Sequence, residues 1–248
     1  MYHELRKRGT GLEWLIARPI AHRGLHDPAA GVIENTTSAV RAAVTAGYGI
    51  EVDLQITADG EAMVHHDSIL GRLTEGTGRL DQMTAAELKQ VRFKATSDRM
   101  MTLRDLTDLV AGRVPLCLEL KSTFDGDPRL PGRVAAALKT YGGPVAAMSF
   151  DPQQIAAVRD LAPDLPRGIV AQRKRDNESG RALAYALHGL RSRPHFLAFS
   201  VQDLPASGPL VARYMLGMPL LTWTVRTEED RQRAALWADQ MIFEGFRP

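Results

Sequence analysis

Short apolar runs alternate with amphipathic segments along the whole chain. The runs fall at residues 19–21, 50–56, 62–65, 115–120, 145–150, 168–171, 196–200, 220–225 and 240–243. Runs of this length, bounded by turn residues, read as strands, and several of the stretches between them carry helix start and stop signals. Asn35 is placed to cap a helix over residues 36–46, with Gly47 as its stop. Thr84 and Glu87 have capping-box spacing. Asp151 sets a cap ahead of Pro152 in the first helical turn. Glu228, Glu229 and Asp230 follow Thr227 and put acid at a helix start, where the helix dipole favours it.

Repeated strand–helix units predict a mostly parallel sheet. A length of 248 residues suits one α/β domain, and a TIM (β/α)8 barrel in particular, spanning residues 1–248. Nine runs are one more than such a barrel needs. The excess is assigned to Asp59-Gly60, a hairpin turn too short to hold a crossover helix, so the runs on either side of it should pair antiparallel. Residues 69–101 break the alternation with the turn Glu75-Gly76-Thr77-Gly78 and a short helix near residues 84–91. They are expected to form a small insertion on the barrel.

The candidate chemistry sits at the ends of these runs. Glu51 and Asp53 are two apart in a strand and share a face. Alone, the pair is equally well explained as a half-exposed strand with its acids in water. The run before Glu119 is apolar on both faces, as a buried parallel strand requires. A carboxylate there is costly unless paired or metal-bound. Glu119 shares its face with Lys121, so a simple ion pair also fits, and Cys117 lies one layer deeper as a packing residue. Three acids on two strands would repel one another without a cation. An all-oxygen site of this kind suits Mg²⁺ or Ca²⁺.

His22 ends the first run, and His65-His66-Asp67 ends the third. A histidine beside a carboxylate-bound cation is suited to moving protons near neutral pH. His65 and His66 face opposite ways, and parity does not say which points inward. His3, His26, His188 and His195 are assigned to structure or surface. Arg23 offers a fixed fork and Lys121 a point charge to a phosphate oxygen. Trp14 and Trp237 sit among apolar neighbours and are expected in the core; Trp223 fits either core packing or the site wall. Arg173-Lys174-Arg175 reads as a solvated loop.

Composition narrows the class. Formal net charge is +2, which does not favour nucleic acid or an anionic membrane as main partner. Cys117 is the only cysteine, so an intrachain disulfide and a thiolate-rich zinc site are excluded. The basic start leads into Gly-Thr-Gly-Leu-Glu rather than an apolar run, and no stretch of about 18 apolar residues occurs. A cytoplasmic protein without stable membrane insertion is the expectation. A homo-oligomer is compatible with the chain but not required by it.

Taken in order, these segments resemble the glycerophosphodiester phosphodiesterase family. The matching text is His22-Arg23-Gly24, Glu34-Asn35-Thr36, Glu51-x-Asp53, Thr57-x-Asp59-Gly60, His66-Asp67 and Gly76-Thr77-Gly78. It continues with Leu118-Glu119-Leu120-Lys121, Ser149-Phe150 and Trp223-Thr224-Val225. The resemblance implies a TIM barrel with an insertion after the His-Asp motif. It implies one divalent cation on Glu51, Asp53 and Glu119, and catalytic histidines at His22 and His66. It also implies small glycerophosphodiester substrates, cleaved to glycerol 3-phosphate and an alcohol through attack by the glycerol 2-hydroxyl. Arg23, Lys121 and Trp223 are the substrate-binding candidates read from the residues themselves.

The chain departs from the family pattern at three places. Ile33 stands where proline is usual, and Arg226 where asparagine is usual. The end, residues 242–248, replaces a Thr-Asp-x-Pro ending. The last two lie near the expected site mouth, where alcohol specificity and closing of the barrel are decided. Two other readings remain in view: a lysophospholipase D, which needs an apolar mouth, and a barrel that binds metal without catalysis. Metal-dependent amide or amine hydrolysis usually carries His-x-His on the first strand, which is absent here.

Overall fold

In the computed structural model, residues 11–173, 189 and 191–248 are described. His3, His188, Lys174 and Arg175 lie outside them. Nine strands form one sheet: β1 Ile20–Ala21, β2 Gly49–Ile56, β3 Ala62–Val64, β4 Leu116–Leu120, β5 Val145–Ser149, β6 Arg167–Ala171, β7 Phe196–Ser200, β8 Leu220–Val225 and β9 Gln240–Phe243. Eight of them run parallel in the order β1-β9-β8-β7-β6-β5-β4-β2, and β1 pairs with both β9 and β2, so the sheet closes into a barrel. The C-terminal departure from the family pattern therefore does not prevent closure. The ninth strand, β3, pairs antiparallel with β2 across the turn at Asp59-Gly60, as the hairpin signal predicts.

The strands divide two cores. Val52, Leu54, Leu116 and Leu118 face outward and pack with helix residues such as Val40, Leu103, Leu106 and Val134. Ile20, Cys117, Ala146, Met148, Val170, Ala198, Leu221 and Ile242 fill the barrel interior, and Leu12 and Leu15 of the N-terminal segment join them. β2 is buried on both faces from Gly49 to Leu54, so its acids are not in water and the half-exposed reading fails. A third cluster of Ile33, Met63, Leu70, Leu80, Leu88, Phe93 and Met100 gives residues 69–101 their own small core against the barrel. Trp14 packs on the interior cluster, and Trp237 on a smaller one beside β7 and β8.

The caps follow the sequence signals with one exception. Thr84 and Glu87 form their capping box. Asp151 accepts from the Gln153 amide at 2.8 Å, and Thr227 from the Asp230 amide at 3.1 Å. A second box, Thr102 with Asp105, starts Leu103–Val110. The exception is Asn35. The cap of Thr37–Ala46 is Thr36, and Gly47 ends the helix in the left-handed conformation. Asn35 itself has φ 58, which turns its amide away from the helix and toward the barrel mouth.

Candidate active site

The register of the strands assembles the site. Ala21 pairs with Ile50, so His22 emerges beside Glu51. Asp53 pairs with Glu119 and Glu51 with Cys117. Glu51, Asp53 and Glu119 therefore meet at the C-terminal mouth of the barrel interior, where such barrels place their chemistry. One oxygen from each lies within 4.8 Å of the others. All three are buried.

Each acid is held differently. Glu51 Oε2 accepts from the Arg23 amide at 2.9 Å, while its Oε1 is buried with no hydrogen-bond partner among the described residues. Asp53 Oδ2 accepts from Asn35 Nδ2 at 2.8 Å, and its own amide donates to Asn35 Oδ1 at 3.3 Å. Lys121 Nζ bridges Asp53 Oδ1 at 2.7 Å and Glu119 Oε1 at 2.6 Å. The Glu119–Lys121 pair read from sequence thus exists, but as one limb of a cluster. Arg23 gives its fork to Glu34 at 2.7 Å and Asp53 at 3.2 Å.

The electrostatics follow from burial and count. Burial drives the Glu51 carboxyl well above its ordinary value, and neighbouring Asp53 and Glu119 drive it further. Burial also raises Glu119, with Lys121 opposing and Asp53 adding to the shift. For Asp53 burial acts upward too, but Lys121 and Arg23 outweigh it and hold the carboxyl low. Lys121, opposed by burial, is pushed up to about 12 by Asp53 and Glu119. Two cations thus serve three carboxylates, and Glu51 is the one left short. An orphaned oxygen in an all-carboxylate cluster fits a hard divalent cation held by Glu51, Asp53 and Glu119.

The backbone around the acids is strained where it must be. Arg23 has φ 55 and Asn35 φ 58, a region that costs non-glycine residues energy and is tolerated where the surroundings enforce it. The Asn35 amide donates to the Arg23 carbonyl at 2.8 Å, tying the two turns together. Gly24 has φ 81, and a Cβ on it would lie 2.9 Å from the Ala39 backbone, so only glycine lets this loop close on the helix.

Two histidines flank the cluster. His22 Nε2 is 3.9 Å from Glu51 Oε2, and its Nδ1 is 2.5 Å from Glu244 Oε2. His66 Nδ1 is 2.8 Å from Asp67 Oδ1, and Asp67 Oδ2 accepts from Arg72 Nε at 2.6 Å. His66 lines the mouth, whereas His65 is buried beside the Phe93 ring, so parity is decided in favour of His66. His26, read from sequence as structural or surface, stands closer to the site than that. It is part-buried, with Nε2 3.6 Å from Glu244 Oε2.

His22, Arg23, Glu51, His66, Glu119 and Lys121 line a cavity of about 420 Å³ that also has Phe150, Trp223 and Arg226 in its wall. Trp223 both packs and lines: its indole donates to the Ala198 carbonyl at 3.2 Å, and its ring meets Phe150 edge-on at 5.3 Å. An adjoining cavity of about 650 Å³ shares His66 and Lys121 and reaches under residues 67–81. Sequence reading gives no site role to Glu34, Arg72 or Glu244, and gives Asn35 only that of a helix cap. Glu34-Asn35-Thr36 was visible as text, but its work is done by a backbone conformation that text does not display.

A parallel barrel with buried acids and two carboxylate-held histidines at its mouth is the architecture of a phosphoric diester hydrolase, and the comparisons agree. The chain belongs to the Glycerophosphoryl diester phosphodiesterase family, whose pattern matches residues 22–245. It is 30% identical over 227 residues to the glycerophosphodiester phosphodiesterase of Caldanaerobacter subterraneus subsp. tengcongensis, covering 86% of this chain and 88% of that one. The Bacillus subtilis glycerophosphodiester phosphodiesterase is 24% identical over 221 residues, 79% of this chain and 73% of the relative. A phosphodiesterase from Oleispira antarctica, solved with the product sn-glycerol-3-phosphate, shares the fold with a TM-score of 0.73 at 21% identity, covering 91% of each chain. Among the described residues, no helix is long and apolar enough to cross a membrane.

Proposed function

We propose that the protein hydrolyses small, soluble glycerophosphodiesters to glycerol 3-phosphate and a free alcohol, with a divalent cation, Mg²⁺ or Ca²⁺, on Glu51, Asp53 and Glu119. The observation that carries this reading is the buried Oε1 of Glu51, without a hydrogen-bond partner among the described residues, inside a three-carboxylate cluster flanked by two histidines. When bound, such a cation supplies positive charge to the phosphoryl oxygens.

His22 and His66 are the proton carriers. One takes the proton of the glycerol 2-hydroxyl as that oxygen attacks phosphorus, and the other gives a proton to the departing alcohol oxygen. Water then opens the resulting cyclic phosphate by the same pair in reversed roles. Lys121 and Arg23, on the cavity wall, add fixed positive charge where it builds up in the transition state. Trp223 offers an apolar wall to the glycerol carbons.

The adjoining cavity supports a polar leaving group over an acyl chain. Its lining includes Asp67, Arg72, Arg79, Asp81, Asp125 and Asp127 beside the apolar Ile56, Ile69, Leu70 and Leu130, and the charged share favours a polar leaving group over the lysophospholipase D reading. The test is release of glycerol 3-phosphate from glycerophosphocholine and from lysophosphatidylcholine, with and without chelator. Turnover of the first only, abolished by chelation and restored by Mg²⁺ or Ca²⁺, is expected. Glu119→Gln should weaken cation binding at least about 10-fold with little change in thermal midpoint. Turnover that survives full chelation would overturn the metal reading.

A further inference from the structure

We infer that Glu244 is the positioning residue for His22, and that Arg226 in turn fixes Glu244. The inference rests on the reading of His22 as a proton carrier.

The argument begins at the barrel seam. Ala21 pairs with Phe243 in the β1–β9 ladder, and the His22 amide donates to the Phe243 carbonyl at 2.9 Å. The Glu244 amide donates to the Val225 carbonyl at 3.1 Å, just past the Val225–Phe243 pair of β8 and β9. His22, Glu244 and Arg226 therefore stand side by side at the ends of β1, β9 and β8. Their side chains join in the same order: His22 Nδ1 to Glu244 Oε2 at 2.5 Å, and Arg226 Nε to Glu244 Oε1 at 2.5 Å.

An ionised carboxylate only accepts hydrogen bonds. Glu244 therefore requires the His22 proton on Nδ1, which leaves Nε2, the nitrogen turned to Glu51, free to accept. Burial acts to raise the Glu244 carboxyl, but His22, His26 and Arg226 outweigh it and hold it low, so it is the ionised form that faces the ring. His26 Nε2 stands 3.6 Å from the same Glu244 oxygen, beyond hydrogen-bond distance, so it adds to the electrostatic hold on the carboxylate while His22 Nδ1 makes the close contact.

Glu244 is also held from behind. The Phe243 ring packs edge-on against Tyr48 at 5.0 Å and against Phe246 at 5.4 Å, and Tyr48 Oη donates to the Pro248 carbonyl at 3.1 Å. These contacts anchor the backbone on either side of Glu244 in sequence, which steadies the strand end that carries its carboxylate.

The experiment uses the whole protein with Mg²⁺ or Ca²⁺ and glycerophosphocholine. In Glu244→Gln, kcat is expected to fall about 10- to 100-fold, with KM and the cation titration within about twofold of the parent. In the His22→Ala background the same substitution should have no further effect. Glu244→Asp, which keeps the charge, should recover part of the loss. Ring ¹⁵N spectra of the parent should show His22 as the Nδ1–H tautomer, a readout independent of turnover. An Nε2–H tautomer, a loss carried by KM or cation affinity, or an equal loss in both backgrounds would each overturn the inference. Full activity in His22→Ala would instead remove the reading of the site on which it rests.

Discussion

The two sides of the active-site mouth are built from the same three side-chain types by different means. On one side, His22, Glu244 and Arg226 come from three neighbouring strand ends and meet across the barrel seam. On the other, His66 and Asp67 are adjacent in sequence, and Arg72 reaches back from the start of residues 69–101. The first histidine side chain is 12% exposed and the second 33%. The seam arm takes its stiffness from the sheet; the His66 arm takes it from a local ion-pair web in which Arg72 also holds Glu34. The difference teaches that an imidazole can be held against a carboxylate either by long-range topology or by a short motif, and that only the second is written contiguously.

The strongest way to break this comparison is to remove each imidazole. His22→Ala and His66→Ala should each lower kcat by about 10²–10⁴, with the cation titration unchanged because neither is a proposed ligand. If one variant retains parental turnover, the two arms do not share the proton work. A step below this stands Asp67→Asn, which spoils the His66 contact and should lower kcat about 10- to 100-fold. That loss should match the loss in Glu244→Gln within about a factor of ten if the arms are equivalent in work.

A further substitution separates the arms by stability. Gly24 follows His22-Arg23 in a left-handed turn pressed on Ala39. Gly24→Ala forces a Cβ into backbone in a conformation that alanine resists, and should cost about 1–3 kcal/mol in urea unfolding. The His66 arm rests on residues 69–101, whose cluster is separate from the main core, so the parental His66–Asp67 contact should survive in this variant. Loss of the His66 tautomer signal along with that of His22 would show the two arms to be mechanically one.

How much of this was legible in the sequence depends on how far apart the partners lie. The barrel, the hairpin at Asp59-Gly60 and the shared face of Glu51 and Asp53 follow from local periodicity, because strand parity and turn chemistry are short-range. The meeting of Asp53 with Glu119 needed the strand register, which the order of apolar runs predicts only coarsely. Asn35 was read as a helix cap because Asx residues favour that position; the left-handed backbone that turns it to Asp53 instead is set by the tertiary tie to Arg23. Arg226 and Glu244 stood out as departures from the family pattern. Eighteen residues separate their contact, and 222 separate Glu244 from His22, so nothing local could join them.

The finest test compares the two arginines. Arg226 is 56% exposed and gives the carboxylate of its arm one contact. Arg72 is 45% exposed, but donates to Asp67 and twice to Glu34, at 2.6, 2.7 and 3.3 Å. Exposed ion pairs contribute little, about 0–1 kcal/mol each, whereas networks hold geometry better than isolated pairs. Glu34 is also the partner of Arg23, so loss of Arg72 loosens the turn that carries Asn35 as well as the carboxylate beneath His66. Arg72→Gln should therefore lower kcat more than Arg226→Gln, by about threefold to tenfold against about twofold, with both effects shrinking in 0.5 M salt as screening weakens what remains of the surface charge pattern. Equal losses would mean that the web behind His66 adds nothing to a single ion pair. A larger loss in Arg226→Gln would place the greater mechanical demand at the seam, where both side-chain partners of the carboxylate come from other strand ends.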